Sequence, residues 1–161
     1  MSDRGKQLFG TAEGQITELQ VLLSTAAEAV LRNPCPGREK LGDGTVGAVA
    51  GHIADTYLRI AAFADGADER AHAAPGAVDH GHTLRDADAS ELFDRLTAPR
   101  RALSTLADLT DEQLDTVPAP GQARFCDGQR TLEQVVIAML RHQSRQIDAV
   151  RAAIEGAAPP D

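Results

Sequence analysis

Near the end of the chain, three polar side chains interrupt an apolar helical stripe, and these are the residues best placed to do chemistry. From Thr131 to about Glu155 the sequence reads TLEQVVIAMLRHQSRQIDAVRAAIE. At the helical angle per residue, Leu132, Val135, Val136, Met139, Ile147, Val150 and Ile154 fall on one side. His142, Gln143 and Gln146 project from that same side, while Arg141, Ser144, Arg145 and Asp148 point away. A buried polar group without a partner costs about 1–3 kcal/mol. The stripe therefore calls for something inside: a side chain, ordered water, a ligand or a metal. His142 and Gln146 are four apart and face one point from adjacent turns. That is the geometry of a metal-binding pair with an amide in the second place. Neutral imidazole is a good ligand for Zn, Ni, Cu or Fe, whereas an amide oxygen is a much poorer one. The other reading of the same residues is a hydrogen-bonded core.

Further candidates lie elsewhere in the chain. His52 sits at the edge of an earlier apolar stripe, where it can point inward. Tyr57 follows five residues later and either lends its hydroxyl to a pocket or packs; Gln143 is a second pocket candidate. His80 and His82, in the string Asp79-His80-Gly81-His82, could reach one ion together or be solvated. His72 reads as a surface residue. Cys126 reads as a small apolar filler, with no Lys or His next to it to activate a thiolate. Arg141 and Arg145 read as a solvated outer face, with a dimer contact as the alternative. Asp55 could accept a ring N–H but lies well round from the core side. No general base stands out.

These side chains need helices to hold them. A first helix is predicted from about Asp3 to Arg32, with Phe9, Ala12, Ile16, Leu19, Leu23, Ala26 and Val30 at spacings of three and four. Asn33-Pro34-Cys35-Pro36-Gly37 ends it. Thr45 opens a second helix to about Asp65, with Val46, Val49, Ile53, Tyr57, Ile60 and Ala64 as its stripe. Gly66 to Ala87 shows no pattern and reads as a crossing segment or a functional loop. Asp88, with Glu91 as a capping box, opens a third helix whose face is Leu92, Phe93, Leu96, Leu103 and Leu106. Pro99 lies inside it and predicts a kink, because the pattern resumes in phase. Thr110 to Gln113 reads as a short capped turn, followed by an extended segment through Phe125-Cys126. Thr131 with Gln134 caps the last helix. Residues 1–155 read as one domain and 156–161 as a disordered tail. The order of elements predicts an all-α four-helix bundle.

Composition narrows the partners. The chain has 161 residues, 42% hydrophobic but only 3% aromatic, with no Trp, so Ala and Leu carry the burial. A net charge of −8 argues against nucleic-acid backbones and anionic membranes as partners. Cys35 and Cys126 make neither a disulfide framework nor a CxxC site. No apolar run approaches a membrane span, and MSDRGKQLFG lacks the apolar region of a signal peptide. A cytoplasmic location is the expectation.

Two stretches also carry a resemblance. Thr45-Val46-Gly47-Ala48-Val49-Ala50-Gly51-His52-Ile53-Ala54-Asp55 resembles the second-helix signature of the DinB/YfiT-like family, which carries an inward His. Asp127-Gly128-Gln129-Arg130-Thr131-Leu132, followed by His142-Gln143-Ser144-Arg145-Gln146-Ile147, resembles that family's last helix with its His-x-x-x-His motif. The order of elements agrees over nearly the whole chain. The resemblance implies a four-helix bundle, often homodimeric, holding a divalent metal such as zinc or nickel on three His. His52 matches the first and His142 the second, but Gln146 stands where the third would be. Three consequences are open: weak binding through two His, an amide and water; a replacement ligand from the long loop; or a metal lost and a pocket kept. Some relatives, akin to mycothiol-dependent maleylpyruvate isomerases, use the metal to activate a low-molecular-weight thiol such as mycothiol or bacillithiol. The resemblance thus implies a metal-dependent thiol transferase, isomerase or hydrolase. The alternatives are a non-catalytic small-molecule-binding bundle and a structural dimer whose polar core residues satisfy one another.

Overall fold

The computed structural model describes residues 2–66 and 89–156, and over these the chain is all-α. The elements are α1 (Asp3–Thr25), α2 (Glu28–Leu31), α3 (Val46–Ala64), α4 (Ala89–Arg95), α5 (Thr97–Leu103), a 3-10 turn (Ser104–Asp108), α6 (Asp111–Leu114) and α7 (Leu132–Gly156). An isolated antiparallel bridge joins Pro34 and Thr45, and no strand forms among the described residues. The segment holding His72, His80 and His82, the Asp88 capping position and residues 157–161 lie outside the described residues.

Local side-chain chemistry sets the helix limits. Ser2 caps α1 by accepting from Gly5 N at 3.0 Å, and its hydroxyl donates to the Leu109 carbonyl at 2.9 Å. The predicted first helix runs to Arg32, but α1 stops at Thr25. The Ser24 and Thr25 hydroxyls turn back onto the Val21 and Leu22 carbonyls, at 2.8 and 3.1 Å. Such bonds compete with the helix ladder, and Ala26 and Ala27 are extended before α2 resumes. Thr45 caps α3 through Ala48 N at 3.2 Å. The third predicted helix is interrupted rather than kinked: α4 ends at Arg95, and α5 starts at Thr97 with Pro99 in its first turn, where a missing N–H is tolerated. Leu92, Leu96, Leu103 and Leu106 stay buried in one phase, but Phe93 is exposed. Reciprocal capping boxes open α6 (Thr110 with Gln113) and α7 (Thr131 with Gln134).

The core is a closed ring of neighbours. Helix α3 packs on α7 on one side and α5 on the other; α1 packs on α7, on α4 and α5, and on the 3-10 turn. Burial follows most of the predicted stripes: Ala12, Ile16, Leu19 and Leu23 of α1, Val49, Ile53, Tyr57 and Ile60 of α3, and Val135, Val136, Met139, Ile147 and Val150 of α7. Leu8 is buried where Phe9 was expected, and Phe9, Leu132 and Ile154 are half-buried. Fully burying one such aliphatic side chain contributes about 1.5–3 kcal/mol. No helix among the described residues is long and apolar enough to cross a membrane.

Two irregular connections position the polar residues. Residues 33–45 are pinned at both ends, by Cys35 N donating to Gly44 O at 2.7 Å and Val46 N to Asn33 O at 2.9 Å. Gly44 has φ +79°, and a Cβ there would meet the Glu39 backbone at 3.0 Å, so the turn requires glycine. The second connection was expected to be extended through Phe125-Cys126. It folds instead into turns, with Gly121 N donating to Cys126 O, and Cys126 N to Ala123 O, both at 3.1 Å. Asp127 then accepts from Gln129 N and Arg130 N at 2.9 and 2.8 Å, which turns the chain into α7. Those backbone bonds hold the Asp127 carboxyl below its ordinary range.

Candidate functional site

Two spaces abut beside α3 and α7 and share His52, Arg124 and His142 as a common wall. The inner one is a chamber of about 200 Å³ completed by Thr56, Arg59, Ile60, Phe125 and Met139. The outer one is a recess of about 680 Å³, completed by residues 37–41, Arg145 and Gln146. Helix α3 supplies His52 and Thr56; α7 supplies His142, Arg145 and Gln146. The pinned 33–45 turn brings Arg38 and Lys40, and the turns before α7 bring Arg124 and Phe125.

His142 is the centre of the shared wall. Its Nε2 lies 2.8 Å from Gln146 Nε2 and 3.2 Å from Arg124 Nη1. A guanidinium only donates, so this imidazole nitrogen accepts and the proton sits on Nδ1. The same logic turns the Gln146 amide nitrogen toward His142, which leaves Gln146 Oε1 buried without a partner among the described residues. Burial lowers the His142 pKa, and the charges of Arg124, Arg38 and Arg145 lower it further. The ring is therefore neutral at pH 7. Phe125 packs against it with ring centroids 6.3 Å apart, and the Arg124 guanidinium lies 5.3 Å from the Phe125 centroid.

The remaining site candidates distribute unevenly. His52 Nε2 lies 3.5 Å from Thr56 Oγ1, whose proton goes to the His52 carbonyl at 2.8 Å. Arg59 donates to the same hydroxyl at 3.0 Å. Tyr57 is fully buried; it donates to Gln15 Oε1 at 2.7 Å, and Gln15 donates onward to the Leu140 carbonyl at 3.0 Å. Gln143 donates to the Ile53 carbonyl at 2.8 Å. Neither Tyr57 nor Gln143 lines the chamber or the recess. Asp55 pairs with Arg95 at 2.9 Å. No disulfide joins Cys35 and Cys126, both buried, and burial pushes the Cys35 thiol up. Arg145, placed on the outer face by its sequence position, lines the recess.

Several lining residues carry no sequence motif. Arg38 and Lys40 sit in a polar connection, and Arg124 and Phe125 in a stretch that reads as extended. Arg145 was within reach of sequence reasoning, because positions three and four apart are helix neighbours and it stands at i+3 from His142.

As arranged, these donors do not fit a divalent metal. Among the described residues no three His, Cys, Asp or Glu side chains converge. The accepting nitrogen of His142 already faces a guanidinium, and Gln146 presents its nitrogen rather than its oxygen. Among the described residues, the recess carries four cationic side chains (Arg38, Lys40, Arg124, Arg145) against one carboxylate, Glu39. Glu39 is occupied with Gly37 N at 3.0 Å, and backbone hydrogen bonds hold its pKa low. This wall favours negative charge.

Compared with known proteins, the chain matches no family model, no curated protein and no solved structure.

Proposed function

We propose that this chain is a DinB-type four-helix bundle that binds a small molecule beside His52 and His142 without a metal, with Gln146 and Arg124 occupying the imidazole nitrogen a metal would need. The carrying observation is the pair of donors on His142 Nε2, at 2.8 and 3.2 Å. The ring of helix neighbours and the placement of His52 and His142 on one wall support the bundle type. The homodimer implied by the resemblance belongs to the same proposal and is read by sedimentation.

A second reading has one observation in its favour: His52 and His142 do line a common recess. On that reading the bundle is a zinc- or nickel-dependent thiol transferase, isomerase or hydrolase acting with a mycothiol-type thiol. Elemental analysis of untagged protein after incubation with excess zinc separates the two. The expected result is far less than one metal per chain. Gln146→His alone leaves zinc affinity nearly unchanged, while Gln146→His with Arg124→Ala raises it about tenfold or more. Near-stoichiometric zinc or nickel that disappears in the His52→Ala, His142→Ala variant would overturn the metal-free reading.

A further inference from the structure

We infer that the ligand is an organic anion whose acid group sits in the recess among Arg38, Arg124 and Arg145 and whose apolar body, about the size of one aromatic ring, fills the chamber. This rests on reading the recess as a small-molecule site, and it names the ligand's chemistry.

Charge comes first. The protein carries a net charge of −8, yet the recess wall gathers Arg38, Lys40, Arg124 and Arg145 against Glu39, and Arg59 lines the chamber next to it. These cations come from four separate segments, so local sequence composition does not account for the cluster. Concentrated positive charge in a concave surface raises the local concentration of anions and repels cations. Guanidinium groups also match the planar two-oxygen edge of a carboxylate or phosphate.

Size and polarity come second. The chamber holds about 200 Å³ between Ile60, Phe125 and Met139, somewhat above the roughly 150 Å³ of an apolar cavity known to take benzene. An inorganic anion would leave this chamber unfilled, and a neutral aromatic would leave Arg38 and Arg145 without a carboxylate partner among the described residues. The shared wall of His52, Arg124 and His142 puts the two halves of one molecule side by side, with the neutral imidazole of His142 at the junction. Carboxylates and phosphate monoesters share this chemistry.

The test uses phenylacetate and phenyl phosphate as anionic probes. The controls are acetate, which has the acid without the body, 2-phenylethanol, which has the body without the acid, and 2-phenylethylamine, which reverses the charge. Each is titrated calorimetrically into the whole protein. The chain has two methionines, Met1 and Met139, so ¹³C-methyl labelling of methionine reports on the chamber through a single assignable signal. The expected result is that at least one of the two acids binds about tenfold or more tightly than every control, weakens as salt is raised, and shifts the Met139 methyl. Whichever acid binds more tightly assigns the ligand as carboxylate or phosphate ester. Arg38→Gln and Arg145→Gln, both at the rim and compatible with folding, are expected to weaken it about three- to tenfold each. Equal binding of 2-phenylethanol, insensitivity to both substitutions, or no binding of either acid up to about 10 mM overturns the inference. The first two of these outcomes leave the small-molecule site standing, whereas stoichiometric zinc would remove that reading on its own.

Discussion

Gln143 and Gln146 stand one helical turn apart on α7, both almost fully buried, and their amides are used differently. Gln143 ties α7 to the Ile53 carbonyl of α3, while Gln146 faces His142. In both, Oε1 has no partner among the described residues, and an unpaired buried acceptor costs about as much as a good hydrogen bond returns. Replacing Gln143 by Met, of similar volume, removes the bond and the orphan together. The expected loss in a denaturant melt is below about 1 kcal/mol; a loss above about 2 kcal/mol would mean that the carbonyl has a partner. At this scale, much of the site was legible. Inward-facing His142 and Gln146 follow from the position of the apolar stripe, and four-residue spacing brings them into contact. What the stripe does not contain is Arg124, which reaches the same nitrogen from a turn with no periodicity to read.

Helix α1 shows how neighbours decide the effect of a residue type. Gly10 and Gly14 are exposed in its interior, and a Cβ at either would meet nothing within 4 Å. Gly10→Ala and Gly14→Ala are each expected to stabilise the fold by about 0.5–1 kcal/mol. At Gly5 a Cβ would lie 2.5 Å from the Leu106 carbonyl and 3.2 Å from that of Leu109. Gly5→Ala should therefore destabilise by about 1–3 kcal/mol in spite of its better helix propensity. Thermal melts of the three variants check the contrast in sign. Element boundaries were legible where a capping side chain marks them, as at Thr45, Thr110 and Thr131. The end of α1 was not, because Ala26 and Ala27 are strong helix formers and the break comes from Ser24 and Thr25 bonding backwards. The interruption at Leu96 was half legible: Pro99 announced a disturbance, and the unbroken apolar phase concealed that the ladder stops.

Over the whole molecule, net charge and local charge tell different stories. The total of −8 is the ground for not expecting a nucleic-acid partner, and it carries no hint of a cationic recess. Arg38, Lys40, Arg124 and Arg145 are scattered in sequence and meet only through the packing of α3 on α7 and the two pinned connections. The same packing fixes the hydroxyl of Tyr57, which bonds to Gln15 of α1 while Gln15 bonds to Leu140 of α7. Burial raises the pKa of this phenol far above its ordinary value near 10. The native state therefore keeps a proton that the unfolded chain releases. Stability is full below about pH 10 and falls as pH rises above it. Since the chain has one Tyr and no Trp, any tyrosinate absorbance comes from this ring alone, which is fully buried in the core. In an alkaline titration the tyrosinate band is expected to appear in one cooperative step, together with the loss of helical circular dichroism. A gradual rise at constant helicity would mean that the ring ionises in place. The protein thus carries a built-in optical gauge of global unfolding, readable without label or dye, for following every variant proposed above.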